Sequence, residues 1–157
     1  MPATRAGGWH RACRTAAGFI VRPIGQCREF RPAIRHDQEM DLAAVRTFVD
    51  EWAVAWNAHD VDRLLQHFAE DVVFTSPVAA QLFASSGGVM RGKAALRDYW
   101  TEGLRRIPDL HFEVLATYVG VDTVVINYRN QRGGLVNEVL VFDGPLIVEG
   151  HGTYLHD

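Results

Sequence analysis

Regularly spaced apolar residues in the middle of the chain predict three helices. From Asp41 onward, apolar side chains recur at intervals of three and four positions, which places them on one face of a helix. The members of this stripe are Leu42, Val45, Val49, Trp52 and Trp56. Asp60 is a typical N-cap for a short second helix, and a third helix is predicted from Lys93 to about Arg106. The buried positions of the second helix are Val61, Leu64, Leu65 and Phe68.

After Pro108 the hydrophobic period changes from that of a helix to the alternation of a strand. The strands predicted in this half of the chain cover residues 110–119, 122–130, 135–142 and 146–154. Asp143-Gly144 lies between two of them and is a strong signal for a tight hairpin turn. A short earlier strand is predicted over 72–75, and residues 79–91 are predicted to form a loop. Helices followed by an antiparallel meander define the α+β class.

The distribution of charge divides the 157 residues into two pieces. Residues 1–39 contain seven Arg and three acidic residues, whereas residues 40–157 are strongly acidic and carry all the periodic segments. We therefore predict one domain over 40–157, preceded by a basic extension over 1–39. The extension has three interpretations: an unstructured or spurious upstream segment, a targeting segment, and a structural arm.

Composition excludes several classes of function. The formal net charge of −3 provides no basic footprint for nucleic acid, and no apolar run approaches the roughly 18 residues of a membrane span. Cys13 and Cys27 lie far apart in the basic extension, and the domain itself has no cysteine, which is compatible with a cytoplasmic location. Since the chain has no glycine-rich nucleotide motif and no metal-ligand spacing, we predict neither a cofactor nor a metal.

Three motifs in the predicted domain resemble those of one superfamily. They are Asn57–Leu65 followed by Phe68–Phe74, the helix start Arg91–Trp100, and the late turn Val141–Gly144. In order and spacing they are similar to SnoaL-like domains of the nuclear-transport-factor-2-like superfamily, which includes ketosteroid isomerase and polyketide cyclases. The resemblance covers about 41–154. It implies a curved antiparallel sheet packed on three N-terminal helices into a cone with an internal pocket.

The resemblance also implies positions for site residues. Ser76 aligns with the catalytic base of ketosteroid isomerase, Trp52 with its oxyanion-hole tyrosine, and Glu138 with its protonated aspartate. Serine cannot take a proton at neutral pH without a neighbouring base, so we do not expect a ketosteroid isomerase in the usual sense. Alternatively, Ser76 is a turn residue before Pro77 and Trp52 is part of the core.

Glu138 interrupts an otherwise apolar strand, which indicates a buried carboxyl in a pocket. A two-residue turn at Asp143-Gly144 would set Glu138 opposite Glu149, with His151 and Thr153 farther along the same face. We therefore predict Glu138 and His151 as the catalytic acid/base pair. Predicted substrate-binding residues are Trp52, Ser76, Glu149 and Thr153, and further candidates for the pocket lining are Tyr118 and Tyr128. The alternative is a solvated sheet face with scattered polar residues.

Three functions remain open on this sequence. The first is a cofactor-independent enzyme that moves a proton on a small, mostly apolar or amphipathic molecule, as an isomerase, cyclase, dehydratase or epoxide hydrolase does. The second is a non-catalytic ligand-binding domain. The third is a dimerisation module, because one sheet face would expose Val139, Val141, Leu146 and Val148. We expect a homodimer, with no nucleic-acid or membrane partner.

Overall fold

The computed structural model of the protein describes residues 40–156. The helices in this part of the chain are α1 (Leu42–Asn57), α2 (Val61–Leu65), α3 (Pro77–Leu82) and α4 (Lys93–Arg106), with a 3-10 turn at Ala84–Ser86. The strands are β1 (Phe68–Thr75), β2 (Val89–Arg91), β3 (Phe112–Val119), β4 (Thr123–Asn130), β5 (Leu135–Asp143) and β6 (Leu146–Tyr154). The prediction of a basic extension over 1–39 lies outside the described residues.

The strands form one curved sheet in the order β2-β1-β6-β5-β4-β3. The α+β class is confirmed. Strands β3 to β6 form the predicted antiparallel meander, but the sheet is mixed because β1 and β6 run parallel. The last strand, β6, thus lies beside the first strand and runs in the same direction. Irregular registers in β1, β3 and between β5 and β6 mark bulges, which bend and twist strands.

The predicted stripe on α1 faces the core except at Leu42, the first residue of the helix, which is 59% exposed. Trp52 is 1% exposed, and Val45, Val49 and Trp56 are also buried. Asp41 caps the helix, since its Oδ1 accepts a hydrogen bond from the backbone N–H of Ala43 at 3.0 Å. The helices pack on one face of the sheet, here called the inner face, where the core includes Val124, Ile126, Tyr128, Val136 and Leu140. No helix in the described part of the chain is long and apolar enough to span a membrane.

Two predicted boundaries around the first strand were wrong. Phe68 begins β1 rather than ending α2, because its ring is buried against Trp100 at a centroid distance of 5.1 Å. The predicted loop over 79–91 contains most of α3 and all of β2. Pro77 ends the first strand but also suits the first turn of a helix, where its missing N–H costs nothing.

The predicted pairing of the last hairpin was also wrong. Asp143 pairs with Leu146, so Gly144 and Pro145 form the turn, and the register then shifts between β5 and β6. Glu138 consequently faces Gly152 rather than Glu149. Successive side chains alternate between faces, so this odd displacement of three positions moves the polar side chains of β6 to the opposite face.

Candidate functional site

A cavity of about 400 Å³ lies between the inner face of the sheet and the helices. Aromatic side chains from α1, β1, α4, β3, β4 and β6 form part of its walls. The aromatic lining residues are Trp56, Phe74, Tyr99, Trp100, Phe112, Tyr128 and Tyr154. A pocket of this size and lining suits a small, mostly apolar molecule, held in orientation by a few polar groups.

Glu138 supplies a carboxyl group to this cavity. Its neighbours on the same face of β5 are the core residues Val136 and Leu140, so the strand carries the side chain into the interior, where it is 5% exposed. Burial raises the pKa of Glu138 to about 7, and a long hydrogen bond from the Tyr128 hydroxyl to Oε2, at 3.4 Å, partly opposes that rise. Near neutral pH the carboxyl can therefore either donate or accept a proton.

Ser76 and Tyr99 form a second polar group in the cavity wall. The Tyr99 hydroxyl donates to Ser76 Oγ at 3.0 Å, and the backbone N–H of Val78 donates to the same oxygen at 3.1 Å. Ser76 thus caps α3 next to Pro77 and also lines the cavity, while its role in substrate binding stays a prediction. Oγ accepts these two hydrogen bonds, and its own proton can point toward the Tyr154 hydroxyl, which also bonds to Ser76, or toward a ligand.

Gly152 brings the two polar groups toward one another. A Cβ placed on Gly152 would lie 3.5 Å from Ser76 Oγ and 3.6 Å from Glu138 Oε2. Both oxygens therefore border the space that a side chain at this position would occupy. Gly150 precedes it on the inner face of β6. Because neither glycine has a side chain, no side chain projects from this part of β6 into the interior.

Buried phenols complete the polar lining. Burial raises the pKa of Tyr99, Tyr128 and Tyr154, so all three hydroxyls remain protonated at neutral pH and can donate hydrogen bonds. Tyr128 was among the sequence candidates, whereas Tyr99 and Tyr154 were missed. Their signal was weak: Tyr99 adjoins Trp100 on an apolar helix face, and Tyr154 follows Gly150 and Gly152 at strand spacing.

The predicted polar partners on β6 lie away from Glu138. His151 Nδ1 is 2.7 Å from Thr75 Oγ1, and its Nε2 is 3.2 Å from Glu149 Oε1. Thr153 donates to the backbone carbonyl of Asn137 at 3.0 Å. These side chains occupy the outer face of the sheet because of the register described above. The geometry therefore contains no Glu138–His151 pair, and the predicted four-residue cluster is not formed.

Trp52, also predicted as a substrate-binding residue, packs in the core behind the cavity. Its ring stacks on that of Phe112, with the two centroids 5.9 Å apart, and packs against that of Tyr128 at a centroid distance of 5.4 Å. Trp52 therefore supports two rings of the cavity wall. The other tyrosine candidate, Tyr118, is 62% exposed at the sheet edge. Within residues 40–156 no group of three His, Cys, Asp or Glu side chains could hold a metal ion.

Comparison with models of known protein families shows which family the chain belongs to. The profile of the SnoaL-like domain family matches residues 42–148, which is most of the chain, and the protein therefore belongs to that family. A comparison with curated proteins gave no match.

Solved structures agree with this assignment. A SnoaL-like protein of unknown function from Burkholderia thailandensis is 41% identical, with a TM-score of 0.71, and the match covers 76% of this chain and all of that one. A protein of unknown function with a cystatin-like fold from Methylobium petroleophilum is 18% identical, with a TM-score of 0.62, covering 76% and 81%. TerC, co-crystallised with polyporic acid, is 12% identical, with a TM-score of 0.59, covering 70% and 90%. The last two share the fold alone.

Proposed function

We propose that the domain binds a small, mostly apolar molecule in its internal cavity and catalyses a proton transfer on it without a cofactor. One observation carries the proposal: a buried carboxyl, that of Glu138, lines an aromatic cavity with a pKa raised to about 7. A carboxyl whose pKa lies near the working pH is well suited to general acid/base catalysis. Carboxyl groups that do not act in catalysis are usually exposed to water or, when buried, paired with a positive charge.

The surrounding hydroxyls suggest how the proton would move. As a carboxylate, Glu138 takes a proton from a carbon next to a substrate carbonyl, and the electron pair of the broken C–H bond moves onto the carbonyl oxygen. The hydroxyl of Ser76 can donate a hydrogen bond to that oxygen as it becomes negative, and Tyr128 can do the same once its hydroxyl turns away from Glu138. Glu138 then returns the proton to another atom of the substrate. Isomerisation, cyclisation and dehydration can all begin with the removal of a proton from the carbon next to a carbonyl group.

A non-catalytic ligand-binding domain is the second candidate function. It is favoured by the separation of His151 from Glu138, which leaves a single carboxyl and weakly acidic phenols as the titrating groups of the cavity. The co-crystallisation of TerC with polyporic acid involves a small molecule and the same fold, which is consistent with both candidates.

Hydrogen–deuterium exchange separates the two functions. The full chain would be incubated in D₂O with 2-tetralone and related cyclic ketones, with deuterium at the α-carbon followed by NMR. An enzyme of the proposed type accelerates exchange, and Glu138→Gln reduces the acceleration by ~10²–10⁴-fold. Glu113→Gln is the control, because Glu113 pairs with Arg129 on the surface. Ligand binding without any acceleration would favour the non-catalytic candidate.

The outer face of the sheet supports the prediction of a homodimer. Val139 and Val141 lie on this face beside His151 and Glu149, and the described helices pack on the inner face. A second copy would cover these half-buried valines. Sedimentation velocity of the wild type and of Val139→Asp tests the proposal, since a charge at that position should dissociate the dimer. The cytoplasmic location stays a prediction.

A further inference from the structure

The mouth of the cavity differs in charge from its interior. Arg106, at the end of α4, and Arg132, in the turn between β4 and β5, both line the cavity and are exposed, which puts them at its opening. The same lining also contains the neutral amide side chains of Gln81, Asn130 and Gln131. Among the described residues, Glu138 is the one acidic side chain of the lining, and it is buried. A ligand would therefore meet two cations as it entered.

The turn that carries Arg132 is held in place by Asn130. The Oδ1 atom of Asn130 accepts hydrogen bonds from the backbone N–H groups of Arg132 and Gly134, each at 3.0 Å. The Asn130 carbonyl accepts from Gly133, whose φ of 84° suits glycine. The side chain of Arg132 has no carboxylate within ion-pair distance in residues 40–156. A fixed turn thus presents a guanidinium that pairs with no carboxylate of the described residues.

Arg106 retains positive charge despite an acidic neighbour. Glu102 accepts hydrogen bonds from Arg105 at 2.8 and 2.9 Å and from Nε of Arg106 at 2.6 Å. These bonds from Arg105 and then Arg106 lower the pKa of Glu102 to about 2, so one carboxylate is shared by two guanidinium groups. This cluster keeps a net positive charge, and the terminal nitrogens of Arg106 form no hydrogen bond in the described part of the chain.

We propose that the ligand is an aromatic or alicyclic carboxylic acid, whose rings fill the cavity and whose carboxylate binds Arg132 and Arg106 at the mouth. This inference rests on the proposed function, since it needs a ligand in the same cavity. Guanidinium groups bind carboxylates through paired, charge-assisted hydrogen bonds, and the neighbouring amides can satisfy the remaining carboxylate lone pairs. The opposite, uncharged end of the molecule reaches Ser76 and Glu138.

Two probes of nearly identical shape test the charge preference. Binding of 2-naphthoate and 2-naphthamide to the full chain would be measured by calorimetry at low salt. We expect naphthoate to bind on the order of tenfold more tightly than the amide. Arg132→Gln combined with Arg106→Gln should remove that difference, and about 0.5 M salt should reduce it. Arg129→Gln is the matched control, since Arg129 is exposed and pairs with Glu113 away from the cavity.

The outcomes separate this inference from the proposed function. Equal binding of the two probes, or an unchanged preference in the double variant with an intact circular dichroism spectrum, would overturn the carboxylate inference and leave the cavity proposal standing. Gly152→Ala should weaken both probes, because its methyl group enters the space beside Ser76 and Glu138. Binding of neither probe, or binding indifferent to Gly152→Ala, would count against the cavity as the ligand site and against both proposals.

Discussion

Glu138 on β5 pairs with Gly152 on β6, and the missing side chain of the glycine leaves open space beside Oε2 of the carboxyl. A larger residue at this position would separate Glu138 from Ser76 and fill the cavity between them. The glycine therefore makes the buried carboxyl accessible to a ligand, while the surrounding core keeps the carboxyl away from bulk water.

Two glycines on one strand should respond differently to alanine. A methyl group on Gly152 would make ordinary contacts of 3.5 Å or more, so Gly152→Ala should fold normally but bind ligand more weakly or show reduced activity. A methyl group on Gly150 would lie 2.6 Å from the buried ring of Phe74. Gly150→Ala should therefore cost ~1–3 kcal/mol of stability.

Thermal unfolding compares these glycine variants directly. A loss of ~1 kcal/mol lowers the midpoint by about 4–8 °C in a small domain. Gly152→Ala should stay within this range of the wild type, while Gly150→Ala falls below it. Equal midpoints for both variants would mean that the Phe74 ring moves aside at little cost.

Replacing Glu138 with Gln should change how stability depends on pH. The carboxyl titrates near 4.5 in a model peptide and at about 7 in the folded protein, so the unfolded chain binds fewer protons between these values. The free energy of unfolding of the wild type therefore falls as the pH rises through this window, by up to ~3 kcal/mol. Glu138→Gln lacks this loss, so its stability relative to the wild type should rise from pH 4.5 to above pH 7.

Denaturant unfolding of both proteins at several pH values measures that difference. A constant difference between pH 4 and pH 8 would show that Glu138 titrates alike in the folded and unfolded chains, which is incompatible with its burial.

Removing the Tyr128 hydroxyl should raise the pKa of Glu138 further. Burial raises this pKa, whereas the hydrogen bond from Tyr128 lowers it by stabilising the carboxylate. Tyr128→Phe removes the donor and leaves burial unopposed. Carbon-13 NMR titration of the Glu138 carboxyl would record the midpoint, with Tyr118→Phe as the control on the exposed edge. An identical midpoint in both variants would exclude the Tyr128 hydrogen bond as a determinant.

Steroid isomerisation should be absent or slow. The family resemblance aligns Ser76 with the catalytic base of ketosteroid isomerase, and its Oγ contacts a tyrosine hydroxyl and a backbone N–H rather than a base. Incubation with a β,γ-unsaturated ketosteroid, followed by the absorbance of the conjugated enone, tests this expectation. Rapid turnover that disappears in Glu138→Gln would assign the base to Glu138.

Residues 1–39 should be dispensable for folding. The domain from Met40 begins with a helix capped by its own Asp41, and the apolar face of that helix is buried among other residues of the domain. A chain that starts at Met40 should unfold within about 4–8 °C of the full chain, the shift expected from ~1 kcal/mol. Aggregation or a much lower midpoint would show that the basic segment contributes to the core.

Local patterns in the sequence predicted most of the helices and strands. The stripe that includes Val49 and Trp52 depends on the spacing within one helix. The Asp60 cap depends on a hydrogen bond that its side chain accepts from the backbone N–H of Arg63, three positions away. The helix at Pro77 was missed because its six residues are too few to show a period. Ser76 stabilises the start of this helix by accepting a hydrogen bond from the backbone N–H of Val78. It also accepts a hydrogen bond from Tyr99, which is distant in the sequence, so the local pattern could not indicate that contact.

The sequence by itself determined the α+β order and the SnoaL-like resemblance, because both depend on neighbouring positions along single elements. It left two alternatives for Glu138, a pocket and a solvated sheet face, and the tertiary structure decided for burial. The tertiary structure alone decided which residues surround that carboxyl. A turn at Gly144-Pro145 and a change of register set His151 on the outer face and Gly152 opposite Glu138. Strand register depends on backbone hydrogen bonds across the whole hairpin, and an odd displacement reverses every side chain, so local pattern could not specify the site.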